Sequence, residues 1–163
     1  MKVRPVTGVA AVDRLGRLLL VQRSDDGTWG LPGGGLEPGE TWSDAAVREC
    51  RVETGWLVRL TGLLGIYSEP DSQIYVYPDG RRRHFVGVVF TAEVLQQVTD
   101  PDEESVAAGF FDLHGLPEPL FAPDRLVLAD LASRLLGRSS DRCRRPVRTQ
   151  GPKHRSLEAD RAA

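Results

Sequence analysis

Short apolar runs, each closed by turn-forming residues, mark most of this chain. Residues 6–12 and 18–22 read as two strands joined by a turn at Asp13-Arg14-Leu15-Gly16. Residues 56–67 form a long, mostly apolar strand candidate, and residues 74–77 and 84–94 flank Pro78-Asp79-Gly80, a hairpin signal. Phe110-Phe111 reads as a short strand after the acidic stretch 100–104. Two segments switch to helical spacing. The first spans residues 40–54 and is stopped by Gly55. The second spans residues 123–136, with Pro123 suited to its first turn, Leu126, Ala129 and Leu131 facing inward, and Gly137 at its end. Three consecutive glycines, Gly33-Gly34-Gly35, are expected to prevent a regular element. Strands interleaved with two helices predict an α+β sandwich.

Length and charge divide this body from a tail. The chain has 163 residues, enough for one domain with a modest extension. Residues 138–163 carry eight basic and three acidic side chains, a net +5, against −7 for residues 1–137. With little to bury beyond Val147 and Leu157, that tail is expected to be a disordered extension. A nucleic-acid arm is the alternative, but the acidic body argues against a broad nucleic-acid face. Cys50 and Cys143 are too few and too far apart for a disulfide framework or a four-ligand zinc site. No apolar run is long enough to span a bilayer, and residues 1–5 lack the core of a signal peptide. The expected location is cytoplasmic, without membrane attachment.

The first helix carries the chemistry. At about 100° per residue, Glu49 and Glu53 fall in the middle of the arc made by Trp42, Ala45, Ala46, Cys50 and Val52. Arg48, Arg51 and Asp44 are expected on the far side, toward water. Two carboxylates one turn apart on an inward face repel each other and resist desolvation. A fold tolerates them if arginines such as Arg23 or Arg48 pair with them, or if they hold a hard cation, Mg²⁺ or Mn²⁺. The glycine segment just before the helix suits a metal or phosphate, because its backbone can approach closely.

Gly34, Glu40 and the run Arg48-Glu49-Cys50-Arg51-Val52-Glu53-Thr54-Gly55-Trp56 resemble the signature box of the Nudix hydrolases, Gly-x5-Glu-x7-Arg-Glu-U-x-Glu-Glu-x-Gly-U with U apolar. Gly34, Glu40, Arg48, Glu49, Glu53 and Gly55 match at the right spacing, and Leu31-Pro32-Gly33 and Glu37-Pro38-Gly39 are also typical. The box departs at Val52, which replaces the first glutamate of the Glu-Glu pair, and at Cys50, where a buried thiol serves as a small hydrophobe.

The resemblance implies a Nudix domain over residues 1–137, an α/β/α sandwich with a mixed sheet. It also implies metal-dependent hydrolysis of a nucleoside diphosphate linked to another moiety. Glu49, Glu53 and the Gly33 carbonyl would hold Mg²⁺ or Mn²⁺, with Val52 implying fewer or weaker ions. Glu40 would support the loop, bind metal through water, or act only as a helix-terminal charge. Glu104, with neighbouring Glu103 in the acidic loop, or Glu49 itself, would be the base, and an exposed acidic turn is the alternative for Glu103 and Glu104. Arg23, Gly34 and Arg48 are the candidates for substrate contact. Arg81-Arg82-Arg83 reads as a solvated hairpin tip, with attraction of an anionic substrate as the alternative. Trp29 and Tyr67 would either stack on a base or serve the core. His84, His114 and His154 are isolated and are not expected to be ligands. The family admits a homodimer. A Nudix-fold module that binds a nucleotide with little or no turnover is the competing reading, and Val52 favours it.

Overall fold

The computed structural model describes residues 1–103, 105–135 and 137. The tail at 138–163 and the candidate base Glu104 lie outside the described residues.

Three strands form the centre of the molecule. Strand β1 (Lys2–Val12) pairs in parallel with β7 (Arg82–Gln97) along its whole length, from Lys2 opposite Arg83 to Val12 opposite Glu93. Strand β5 (Trp56–Tyr67) then pairs antiparallel to β7. On the other side of β1 the sheet forks. Strand β2 (Leu18–Arg23) joins β1 only at Val12 and Leu18 before leaving it. Strand β4 (Gly33–Gly35) fills the gap, with Gly33 opposite Gly8 and Gly35 opposite Val6. Strand β3 (Trp29–Gly30) and β8 (Ser105–Phe111) pair with β2, and β6 (Ile74–Val76) makes the expected hairpin with β7.

Both faces of the mixed sheet are covered. On one face Val9, Ala11, Leu19, Val58 and Ala92 pack with Ala46 and Cys50 of α1 (Trp42–Thr54). On the other face Ala10, Leu18, Leu20 and Val89 pack with Val127, Leu128 and Leu131 of α3 (Asp124–Leu135). Alternation along β1 therefore sends odd positions to α1 and even positions to α3, which is why the middle of β1 reads as a continuous apolar run. The α/β/α sandwich with a mixed sheet is the architecture expected. Among the described residues no helix is long and apolar enough to cross a membrane.

Several expectations need correction. Gly33–Gly35 is a strand, because β1 approaches it so closely that a Cβ on Gly33 would meet the Thr7 carbonyl. Ala129 is exposed, and Val127 and Leu128 take the inward face of α3. Strand β1 begins at Lys2, since the parallel ladder with β7 supplies partners to its polar start. Strand β8 begins at Ser105, ahead of Phe110, because β2 pairs with it as far as Arg23. A single helical turn, α2 (Pro70–Gln73), lies where the sequence pattern shows no helix.

Candidate active site

Helix α1 is fixed at both ends. The Thr41 hydroxyl accepts the Asp44 N–H at 3.1 Å, and Gly55 closes the helix with a φ of 74°, its N–H donating to Arg51 O at 2.9 Å. Positive φ at that position favours glycine. A Cβ there would also meet the Thr99 carbonyl, so Gly55 lets the acidic loop after β7 close onto the helix. The Asp102 N–H donates to Val52 O at 3.0 Å.

Between these caps, α1 presents Glu49 and Glu53 to β4. The Gly33 N–H donates to Glu53 Oε2 at 2.8 Å. Gly34 is equally close to Glu49, for a Cβ on Gly34 would land on that carboxylate. The glycine strand is thus the wall against which both carboxylates rest. Burial is the main cause that raises Glu53, and like charge on Glu49 and Asp102 adds to it, outweighing the Gly33 hydrogen bond; its carboxyl is pushed up to about 8.

Arg48 is not on the water side of the helix. Its Nε and Nη2 donate to Glu40 at 2.6 and 2.9 Å, its Nη2 also donates to Gly35 O at 3.1 Å, and its Nη1 pairs with Glu49 Oε1 at 2.9 Å. Glu40 also accepts the Glu37 N–H at 3.0 Å. Of the roles open to Glu40, this geometry supports that of holding the loop. Arg48, expected at the substrate, is committed here to clamping β4, the loop and Glu49 together.

A cavity of about 330 Å³ opens beside this wall, within the range of small-molecule sites. Glu49, Glu53, Gly33, Gly34 and Arg23 line it, so these candidates converge. Arg23 pairs with Asp25 at 2.5 Å and lies 4.2 Å over the Phe121 ring. Arg81 and Arg83 also line the cavity, as does Arg4, while Arg81 and Arg82 are exposed as a solvated tip would be. Arg81 pairs with Asp79, and Arg83 also faces Asp79 electrostatically. Val52 is half-buried and is not part of the lining.

The inner end of the cavity holds groups that the sequence reading missed: Gln73, Phe85, Phe121 and Asp124. Asp124 Oδ2 accepts the Leu31 N–H at 2.7 Å, and burial pushes its carboxyl up to about 6. From sequence it is only an acidic residue in a first helical turn. Period-2 alternation on β7, which carries Arg83, Phe85, Gly87 and Val89 to one face, was the available signal for the arginine and phenylalanine.

The remaining candidates behave as structure. Trp29 packs edge-on to Phe111 with ring centroids 4.9 Å apart, and Tyr67 is buried in the core while also lining the cavity. Burial pushes the Cys50 thiol up to about 12, as befits a core residue. His84 meets the Ser68 carbonyl, and His114 is exposed.

No group of three His, Cys, Asp or Glu side chains is gathered for a metal among the described residues. A cation would therefore have Glu49 and Glu53 as its side-chain carboxylates, with backbone oxygens available nearby. That all-oxygen set fits a hard divalent ion.

Comparison with known proteins follows the same lines. A model of the NUDIX domain matches residues 2–131. The chain is 33% identical over 119 residues to the ADP-ribose pyrophosphatase of Methanocaldococcus jannaschii, covering 71% of this chain and 66% of that protein. It is 35% identical over 124 residues to the 8-oxo-dGDP phosphatase NUDT18 of Mus musculus, covering 72% of this chain but 35% of that one. The chain thus spans between about a third and two thirds of these relatives. A crystal structure of an ADP-ribose pyrophosphatase from Streptococcus suis superposes with a TM-score of 0.63 at 30% identity, covering 80% of this chain and 92% of that one.

Proposed function

The chain belongs to the NUDIX domain family, and from that premise we propose that it hydrolyses the diphosphate bond of a nucleoside diphosphate linked to another moiety, with Mg²⁺ or Mn²⁺ as cofactor. The observation that carries this reading is the convergence of Glu49 and Glu53 on a glycine strand at one side of a cavity that also exposes arginines. An anionic diphosphate repels an attacking water, so its charge must be cancelled, the water placed and its proton removed. Glu49, Glu53 and the Gly33 carbonyl would hold the cation. When bound, it supplies Lewis-acid neutralisation and a more acidic water. Gly34 leaves room for Glu49 beside the phosphates, and Arg23 contributes positive charge. Arg48 acts through Glu49 and Gly35, positioning both. Glu104 or Glu49 takes the proton as the water oxygen bonds to phosphorus and the bridging P–O bond breaks.

ADP-ribose, nucleotide sugars, dinucleoside polyphosphates and modified nucleoside triphosphates are the substrate types to compare. The test is a panel of these compounds with Mg²⁺ or Mn²⁺, with products identified and Glu53→Gln as control. Val52 in place of a glutamate favours a second reading, a nucleotide-binding module with little turnover. Saturable binding without product across the panel would establish that reading instead.

A further inference from the structure

We propose that the inner end of the cavity recognises a nucleobase whose edge offers two adjacent hydrogen-bond donors, a guanine-type edge, through the side chains of Gln73 and Asp124. The inference rests on the reading of the site as a nucleotide site and adds the base to it.

Gln73 sits on the single-turn helix α2 and is only 4% exposed. Its Nε2 donates to the Pro123 carbonyl at 2.9 Å, which fixes the amide orientation, because a carbonyl only accepts. Oε1 is then the other amide atom, and it receives no donor among the described residues. Among the described residues no side-chain oxygen sealed from solvent lacks a partner, so Oε1 keeps access to solvent, and Gln73 lines the cavity. Asp124 follows Pro123 in the chain, so the Gln73 amide is tied to the residue before Asp124, and both side chains line the same cavity. Its Oδ2 is taken by the Leu31 N–H, which leaves Oδ1 as a second acceptor on the same wall.

The surrounding walls suit a flat ring. Phe85 and Phe121 are 7% and 8% exposed, with centroids 6.2 Å apart and planes at 60°, and both line the cavity. The Arg23 guanidinium lies over Phe121. Aromatic faces of this kind hold bases by stacking without choosing among them. The choice falls to the polar edge. Guanine presents an N–H and an amino group side by side, matching two acceptors. Adenine and cytosine place a ring-nitrogen acceptor beside their amino group, and uracil flanks its N–H with carbonyls. Each would set an acceptor against Gln73 or Asp124 and leave buried polar groups unpaired.

Binding can be read without catalysis, by calorimetry in EDTA with GDP, IDP, ADP and UDP. Tighter binding of GDP than of ADP and UDP, by about tenfold or more, is expected, with IDP intermediate because it lacks the amino group. Asp124→Asn turns one acceptor into a donor and should abolish the preference for GDP, weakening GDP while ADP, whose ring nitrogen the new donor can meet, holds or gains affinity. Gln73→Met, checked by melting, should narrow the same gap. Equal affinity for all four nucleotides would overturn the proposal. So would an Asp124→Asn variant that weakens all four alike, since that outcome assigns Asp124 to the shared ribose or to the fold. Because no turnover is needed, base preference and hydrolysis succeed or fail separately.

Discussion

The Gly33 N–H donates to Glu53 Oε2 at 2.8 Å, joining the glycine strand to the last turn of α1, twenty residues later. Among the described residues this bond is the only one to Glu53 from a backbone donor, and it leaves a raised carboxyl beside two other acids, Glu49 and Asp102. A group so placed is costly to the fold unless a cation is bound. The relationship therefore links a local feature of the backbone to the proposed chemistry.

Glu53→Gln separates those two roles. The amide keeps the shape, loses the charge and can still accept the Gly33 N–H. Turnover should fall roughly a hundredfold or more, while the metal-free protein melts at the same temperature or higher near neutral pH. Steady-state rates beside a melting curve check both halves. Undiminished turnover in the folded variant would remove Glu53 from the catalytic set.

Gly34→Ala tests the cradle. The added methyl must displace the Glu49 carboxylate, since little else can yield. Because the obstacle is the far end of a flexible side chain the fold should yield cheaply, whereas displacing a metal-holding carboxylate by even about 1 Å costs about a hundredfold in rate. A rate within twofold of the parent (about 0.4 kcal/mol) would show that Glu49 can sit elsewhere and still work.

Much of this arrangement was legible in the sequence, and the limits have physical causes. The inward pair Glu49 and Glu53 follows from 3.6-residue periodicity, and Gly55 from its cap. The glycine segment was misread as irregular, because glycine's freedom also permits a strand wherever another backbone must approach without side chains, as β1 does at Thr7. Arg48 was placed toward water by the same periodicity, yet its side chain is long enough to reach back to Glu40, Glu49 and Gly35. Gln73 and Asp124 carry no sequence signal because only tertiary structure brings them to one cavity, fifty-one positions apart, and α2 is too short to leave a pattern.

The clamp made by Arg48 is expected to be geometric rather than merely ionic. Arg48→Lys retains the charge but cannot reach Glu40, Glu49 and Gly35 with one planar fork. A drop in kcat with little change in KM is expected, since the loop and Glu49 lose their alignment while substrate still meets the other arginines. Arg48→Ala should lower kcat further. A rise in KM alone would assign Arg48 to direct substrate contact instead.

The raised Glu53 makes stability depend on pH in a defined direction. An unfolded glutamate has its ordinary value of 4.5, while folded Glu53 keeps its proton until about 8. Between these values the native state binds more protons than the unfolded state, so stability falls as pH rises through that window. Asp124, pushed up to about 6, adds to the fall in its lower part. Asp13, Asp26 and Asp79 are shifted the opposite way and lose stability only below the usual carboxylate range, outside this window. A cation held by Glu53 must displace the proton, so its stabilising effect should grow with pH. Melting curves in EDTA from about pH 5 to about pH 9 should therefore decline toward the alkaline side, with Glu53→Gln flattening the decline. Adding Mg²⁺ or Mn²⁺ should raise the melting temperature most at the alkaline end. Equal stabilisation by the metal at both ends of the range would mean that the ion is held without displacing the Glu53 proton.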